Sequence, residues 1–493
     1  MISFKDFIKQ LPETKGYETL NIYKASINPF QDSWVFLFVQ ENQDKLLVSG
    51  RIQNEFEGES FVDDGLSYKI APLTHANANA LRLLFPFTKP ISVLDKPRSF
   101  GLGDRLGIAG KGHLQIINNY DCYPVLAQQS IRELNMTNRS YEDVLDKASF
   151  SVFREGYKKG FGADGDHLKT ASDIEYALSL GFTMITLDCS EHIRDDVLNM
   201  SVEQIIRLTN INSSLIGKYL NKEIIIEGIE LKFTELDLRR AMLVYQNAID
   251  YSKKIYDKYI SKSKTKVGFE ISIDETSTPT TALEHYFVAN ELLLAGVKID
   301  TIAPRFCGEF QKGIDYIGDL FQFENELKLH AAIARHFGYK LSIHSGSDKF
   351  SIFELIGKYT KGHFHVKTAG TNWLEAMKVV SICNPNMYRR IHKYALSKFN
   401  DATKFYHVTT DINKIPDVDL IADECLVDLF KNNDARQLIH ITYGYILNEK
   451  DESGKYLFKT ELYKLWKKEE KLYADELSKH IGNHLALLYK GFN

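Results

Sequence analysis

The chain has 493 residues, 44 % of them hydrophobic and 26 % charged, a composition that excludes disordered and fibrous proteins. A formal net charge of −4 gives no electrostatic argument for a nucleic acid or an anionic membrane as partner. The opening MISFKDFIKQ lacks the apolar core of a signal peptide, and no apolar run reaches the roughly 18 residues that span a bilayer.

In chain order, residues 1–95 read as a β-rich N-terminal region. SWVFLFVQ (33–40) and KLLVSG (45–50) are strand-like runs separated by polar ENQD, and Asp64-Gly65 before LSYKIAPL reads as a turn. This region either covers one end of the next domain or supplies a subunit contact. From about residue 97, short segments of small and branched residues end in polar clusters and alternate with helical patterns. The strand candidates are SFGLGDRLG (99–107), YPVLAQQS (123–130), GFGADGDHL (160–168) and MITLDCS (184–190). They continue with VGFEISIDE (267–275), IDTIAPRF (299–306), KLSIHSGSD (340–348) and HFHVKTAG (363–370). Between them lie helical stretches such as SDIEYALSLG (172–181), TALEHYFVANELLLAG (281–296) and FSIFELIGKY (350–359).

Eight strand-then-helix units predict an α/β fold, a (β/α)8 TIM-like barrel over 96–400, with an open doubly wound sheet as competitor. The long gap 191–266 is expected to be a helical insertion. It holds a capping-box spacing at Ser201 and Gln204, and a long amphipathic pattern over 234–260. Residues 401–493 read as a helical C-terminal region whose charges form a solvated face. Five cysteines, Cys122, Cys189, Cys307, Cys383 and Cys425, are odd in number and without metal-finger spacing. They read as reduced thiols of a cytoplasmic protein.

In a barrel of this class the chemistry gathers at the C-terminal ends of the strands. Those ends carry Asp104 and Arg105, then Gln128, Gln129 and Ser130, then Asp164, Asp166, His167 and Lys169, then Asp188. The second half adds Glu270, Asp274 and Glu275, then Arg305, then His344, Ser345 and Asp348, and last His365 and Lys367. His167, His344 and His365 come from three different ends, and imidazoles with a carboxylate suit Mn²⁺, Ni²⁺, Co²⁺, Zn²⁺ or Fe²⁺. His363 is the alternative to His365, being two residues deeper on the same face, whereas His330 and His336 fall on a helical pattern and read as structural.

Asp166 and Glu270 are the acid/base candidates; the competing role for Asp166 is to orient a ligand histidine. Asp166 and His167 are neighbours and would face opposite sides of a regular strand. Both enter one pocket only if the strand ends and turns there, which Gly165 would permit. Lys169, Arg305 and Lys367, with Gln128, are expected to bind substrate, and their charge favours an anionic small molecule, a sugar acid ahead of a sugar phosphate. No Walker A loop or dinucleotide fingerprint is present.

GADGDHLKT (162–170), GFEISIDET (268–276), APRFCGEFQKGIDYIGD (303–319), SIHSGSDKFS (342–351) and HVKTAGT (365–371) resemble the tagaturonate epimerase family over roughly residues 95–440. The resemblance implies a metal-dependent enzyme of uronate catabolism that interconverts D-tagaturonate and D-fructuronate. It implies a proton acceptor and a proton donor, carried to Asp166 and Glu270, and histidine ligands, carried to His167, His344 and His365. An aldolase or ketose isomerase acting on a sugar acid, or a non-catalytic sugar-acid-binding protein, are the alternative readings. Assembly into a homo-oligomer stays open.

Overall fold

The computed structural model describes residues 21–63 and 66–492, so that MISFKDFIKQ and the Asp64-Gly65 turn lie outside the described residues. Branched and aromatic runs build the N-terminal sheet. Ser33–Gln40 and Gln43–Ser49 pair antiparallel across Glu41 and Asn42, whose φ values of 51° and 61° match the twist of a tight hairpin. Among the described residues six strands form this sheet. One face, with Val35, Leu37, Leu46 and Val48, clusters with Phe150 and Phe153 of the helix Tyr141–Glu155 on the barrel's flank.

Eight parallel strands then close on themselves, which rules out the open sheet. They are Arg98–Gly103, Tyr123–Ser130, Gly162–Leu168, Met184–Asp188, Gly268–Ile273, Thr301–Pro304, Lys340–Ile343 and Phe364–Ala369. Each overlaps its predicted segment, and the eighth pairs with the first from Phe364↔Arg98 to Ala369↔Gly103. The N-terminal end of the barrel is sealed by the tail of the N-terminal region. Val93 and Leu94 cluster with Val125 and Met184, while Ile91 donates its N–H to the Phe161 carbonyl and accepts from Thr183 Oγ1. With the bottom shut, the open mouth is the C-terminal one.

The insertion between the fourth and fifth strands has the expected capping box at Ser201 and Gln204, which starts helix Val202–Leu208, and the long helix Glu235–Ile255. It is not helical throughout. Ile224–Ile226 and Ile229–Leu231 form a hairpin, because a branched run is broken by Glu227-Gly228, both at positive φ.

The C-terminal region is helical but is not a separate layer. Helix Pro385–Ala402 runs across residue 400, and the last helix, Glu470–Lys490, packs against both Gly110–Ile117 and Phe350–Thr360. Those are the helices of the first and seventh units, so the last helix stands where an eighth ring helix belongs. The helix after the eighth strand, Thr371–Cys383, packs against the C-terminal helices instead. A Cβ at Gly357 would lie 1.9 Å from the Leu488 carbonyl oxygen, so this close approach requires glycine. Among the described residues no helix is long and apolar enough to cross a membrane.

Candidate active site

The C-terminal mouth opens into a cavity of about 450 Å³, the size of a small-molecule site. On its surface the ligand atoms of His167, Asp274 and His344 lie within 4.8 Å of one another. These side chains come from the third, fifth and seventh strand ends, so the barrel's curvature rather than any local sequence brings them together.

His167 reaches the cavity by a distortion. Ile185 pairs with Gly165 but Leu187 pairs with Leu168, so Asp166 and His167 together oppose one residue, Thr186. His167 takes φ +56°, a left-handed conformation that costs a non-glycine residue roughly 1 kcal/mol or more. The strand does not end at Asp166, as the sequence reading required; it bulges and continues to Leu168. Gly165 keeps an ordinary φ, and its missing side chain makes room for Leu168 and Ile185.

Each histidine is backed by a carboxylate. His167 Nδ1 lies 2.9 Å from Asp166 Oδ1, and His344 Nε2 lies 2.8 Å from Glu270 Oε1. An ionised carboxylate only accepts, so those ring nitrogens carry hydrogens and the opposite nitrogens are left to hold a proton or, once it is lost, a metal ion. His344 Nδ1 is buried without a hydrogen bond, yet sits 3.2 Å from Asp274 Oδ2. Two such atoms placed that close share a proton or a metal cation. The donor set of two imidazoles and one carboxylate, each imidazole oriented from behind by a second carboxylate, fits a borderline divalent metal.

Beneath this group lies a charged floor. Lys367 Nζ is 2.8 Å from Asp164, 2.7 Å from Asp166 and 2.9 Å from Glu270. Thr186 donates to Asp164 and Glu270, and Thr301 donates to Glu270. Burial would raise the pKa of both Asp166 and Glu270, but Lys367 and the paired histidines outweigh it and hold both well below the usual carboxylate range. Asp164 lacks a histidine. Burial, with Asp166 and Glu270 close by, lifts it to about 6 against the pull of Lys367. Burial would lower His344, yet Asp274 and Glu270 on either side raise it to about 10. An imidazole pressed between two carboxylates attracts a proton or a metal ion that displaces it.

The structure redistributes several expected roles. His365 does not join the histidine group. It pairs in register with Ser99 and Ser342, one layer below Lys367, and its Nδ1 lies 2.9 Å from Ser99 Oγ. Burial pulls its pKa down to about 3, and Asp274 instead completes the group that could hold an ion. His363 is exposed, with Nδ1 beside the Lys361 carbonyl. Glu270 is fully enclosed and does not line the cavity, because it sits mid-strand, four residues below Asp274. Lys367 lines the cavity, but three carboxylates already engage its ammonium group. Lys169 is turned away by the bulge and bonds Ser190 Oγ at 2.8 Å near Asp188. Gln128 and Arg305 do line the cavity; Gln128 Oε1 is buried without a partner.

Other strand-end residues are structural. Asp104 accepts three backbone N–H groups, Arg105 pairs with Glu133, and Ser130 caps the helix Ile131–Thr137. A second histidine–carboxylate group, Asp348, His480 and His484, is tied together internally. His484 Nε2 accepts the Asp348 N–H, His484 Nδ1 bonds the His480 carbonyl, and His480 bridges Asp348 and Glu375. It clamps the seventh strand's loop to the last helix.

Sequence reading placed Asp274 at a strand end but passed over it as a candidate ligand. The signal existed, since residues 270, 272 and 274 share one face of the fifth strand and Asp274 is the outermost. It also missed Phe405, Tyr406 and His407, which reach the cavity wall from the C-terminal region, and Lys312 from the loop after the sixth strand.

A closed barrel with paired acids and imidazoles about a polar C-terminal cavity is the architecture of a (β/α)8 enzyme with a capacity for binding metal. The comparisons narrow this. The chain belongs to the tagaturonate epimerase family, whose model matches residues 23–488, and is an isomerase of the epimerase class. It is 43% identical over 486 residues to a tagaturonate/fructuronate epimerase of Thermotoga maritima, covering 96% of this chain and 97% of the relative. The native crystal structure of the fructuronate-tagaturonate epimerase of Cohnella laeviribosi superposes with a TM-score of 0.93 at 47% identity, covering 98% of each chain. A glycerol complex of the same Cohnella enzyme also matches with a TM-score of 0.93 over 98% of each chain.

Proposed function

We propose that this protein is a metal-dependent epimerase that interconverts D-tagaturonate and D-fructuronate in cytoplasmic sugar-acid catabolism. The relatives' activities support the substrate pair. The observation that carries the metal is the buried Nδ1 of His344, 3.2 Å from Asp274 Oδ2 and converging with His167, while Glu270 and Asp166 occupy the far ring nitrogens. A divalent cation held there (Mn²⁺, Fe²⁺, Co²⁺, Ni²⁺ or Zn²⁺) would supply Lewis acidity at the substrate's ketone. Five unpaired cysteine thiols fit a reducing compartment.

The two sugar acids differ at the carbon β to the ketone, whose C–H the carbonyl does not acidify. A retro-aldol route avoids that problem. Asp166 is the base, because it lines the cavity and the hydrogen bonds from His167 and Lys367 both fall on Oδ1, leaving Oδ2 for substrate. Oδ2 takes the proton of the hydroxyl on the inverting carbon. The bond from that carbon to the α-carbon breaks, and its electron pair passes towards the carbonyl, giving an aldehyde and an enediolate. The aldehyde turns to offer its other face, the bond re-forms, and Asp166 returns the proton to the new alkoxide. One base serves both halves, and Lys367 keeps it ionised between them.

Epimerisation of tagaturonate in D₂O, followed by NMR, is the test. Product without deuterium at the inverting carbon is expected, and deuterium there would refute bond cleavage. Chelation should abolish turnover and Mn²⁺ or Ni²⁺ should restore it; turnover that survives chelation would remove the metal. Binding of tagaturonate without turnover would make the protein a sugar-acid-binding module.

A further inference from the structure

We infer that Lys312 and Arg305, on the loop after the sixth strand, form the anchor for the substrate's carboxylate and set a preference for a sugar acid over the neutral sugar. The inference rests on the proposed epimerase function and deepens it. The cavity's chemistry poses an electrostatic problem. Four carboxylates, Asp164, Asp166, Glu270 and Asp274, crowd the reacting end, so an anionic sugar is repelled unless its own charge is drawn elsewhere. Two of the cations that sequence reading assigned to this task are committed, Lys367 to the floor and Lys169 to the Asp188 and Ser190 corner.

Three cavity-lining cations remain without an acidic partner among the described residues; Arg132 is engaged by the Phe405 carbonyl, which leaves Arg305 and Lys312. The Arg305 guanidinium makes no hydrogen bond or ion pair; its backbone alone is bonded, to Thr280. Lys312 Nζ donates only to Ser345 Oγ, at 3.1 Å. Burial lowers the pKa of Lys312, and Arg105 and Arg132 nearby lower it further against the pull of Glu133. Ser345 is next in sequence to the candidate ligand His344, so the Lys312 contact sets the ammonium on the wall of the same cavity. A six-carbon chain can then present its ketose end to His167, Asp274 and His344 and its carboxylate to Lys312 and Arg305.

The loop carrying these cations is held from two sides. Lys349 Nζ donates to the carbonyls of Gln311, at 2.8 Å, and Ile314, at 2.6 Å. Gln311 Oε1 accepts from Thr409 N and Gln437 Nε2, each at 2.9 Å, which ties the loop to the C-terminal segment. An anchor preorganised in this way loses little entropy on binding.

The experiment measures binding by calorimetry, using D-galactonate, an aldonate that cannot react, and galactitol, its neutral counterpart. Wild-type protein, Lys312→Met, Arg305→Gln and Lys312→Arg are compared, and the KM for tagaturonate is measured on each. Loss of one charge-assisted bond should weaken galactonate binding and raise that KM by about 10- to 100-fold in Lys312→Met and in Arg305→Gln. Galactitol binding should stay the same, and Lys312→Arg should recover most of the loss. Arg305→Gln removes a side chain that bonds nothing in the fold, so it remains informative if Lys312→Met does not fold. Galactonate binding equal to wild type in a folded variant overturns the anchor. Galactonate binding that depends on Lys312, in a protein that never epimerises tagaturonate, would sink the functional reading and leave the anchor standing.

Discussion

Replacing Glu270 with glutamine separates two roles that a carboxylate beside a histidine can play. Glu270 is fully buried; Oε1 faces Lys367 at 2.9 Å, His344 Nε2 at 2.8 Å and Thr186 Oγ1 at 3.1 Å, and Oε2 accepts from Thr301 at 2.6 Å. Glutamine keeps the shape, with its carbonyl oxygen in place of Oε1 and its NH₂ turned to the Thr301 hydroxyl. What disappears is the charge behind His344. Loss of an orienting carboxylate of this kind typically weakens metal binding by about 10- to 100-fold, or about 1.4–2.7 kcal/mol. Lys367 retains Asp164 and Asp166, so the fold should lose less than the roughly 3–5 kcal/mol of a fully broken buried pair. The assay is titration of chelator-stripped protein with Mn²⁺ by calorimetry, then turnover of tagaturonate at saturating Mn²⁺. Weakened Mn²⁺ binding with most of the turnover regained at saturation is the expected result. Unchanged Mn²⁺ affinity with turnover abolished at saturation would refute this reasoning and return Glu270 to the role of a direct acid/base.

Lys367→Met should destabilise the fold by about 3–5 kcal/mol in urea unfolding, because Asp164, Asp166 and Glu270 would share a dry floor without a cation. A loss below about 1 kcal/mol would mean that the floor is not charged as drawn. The clamp of His480 to Asp348 and Glu375 carries a pH signature. Burial would lower the pKa of His480, but Glu375 and Asp348 outweigh it and raise it. A raised folded pKa stabilises below the unfolded value of about 6.5, and that stabilisation is lost as pH rises through the folded value. Asp348 is held well below its usual range by Arg436 and His480 against burial, so its share is present above about pH 4 and lost in acid. Wild type should therefore exceed His480→Gln in unfolding free energy by more at pH 6 than at pH 9; a gap that does not change with pH would exclude the clamp.

How far the site could be read in advance depended on which quantity each residue expressed. Alternating apolar segments and helices made all eight strands legible, because burial on both faces leaves a local signature. The rule that barrel chemistry sits at strand ends then pointed to the mouth that holds the cavity. Depth was not legible. Residues 270 and 274 share one face of their strand, as do 365 and 367 of theirs, and two residues separate layers by about 6.6 Å. Which layer meets the cavity is set by the stagger between neighbouring strands, a property of the closed barrel and not of any segment. The bulge at Asp166 and His167 has the same origin, since it becomes visible only once Ile185 and Leu187 are placed opposite. Lys312 lies eight residues beyond the end of its strand, and the last helix completes the ring from the far end of the chain. Depth also decides chemistry. A carboxylate lower in the barrel, such as Glu270, meets the back of an imidazole, whereas one at the surface, such as Asp274, faces the cavity. The same residue type at the same spacing thus yields an orienting group or a ligand according to stagger alone. That is why the depth of Glu270, two layers below Asp274, and of His365, one layer below Lys367, could not be read from their segments.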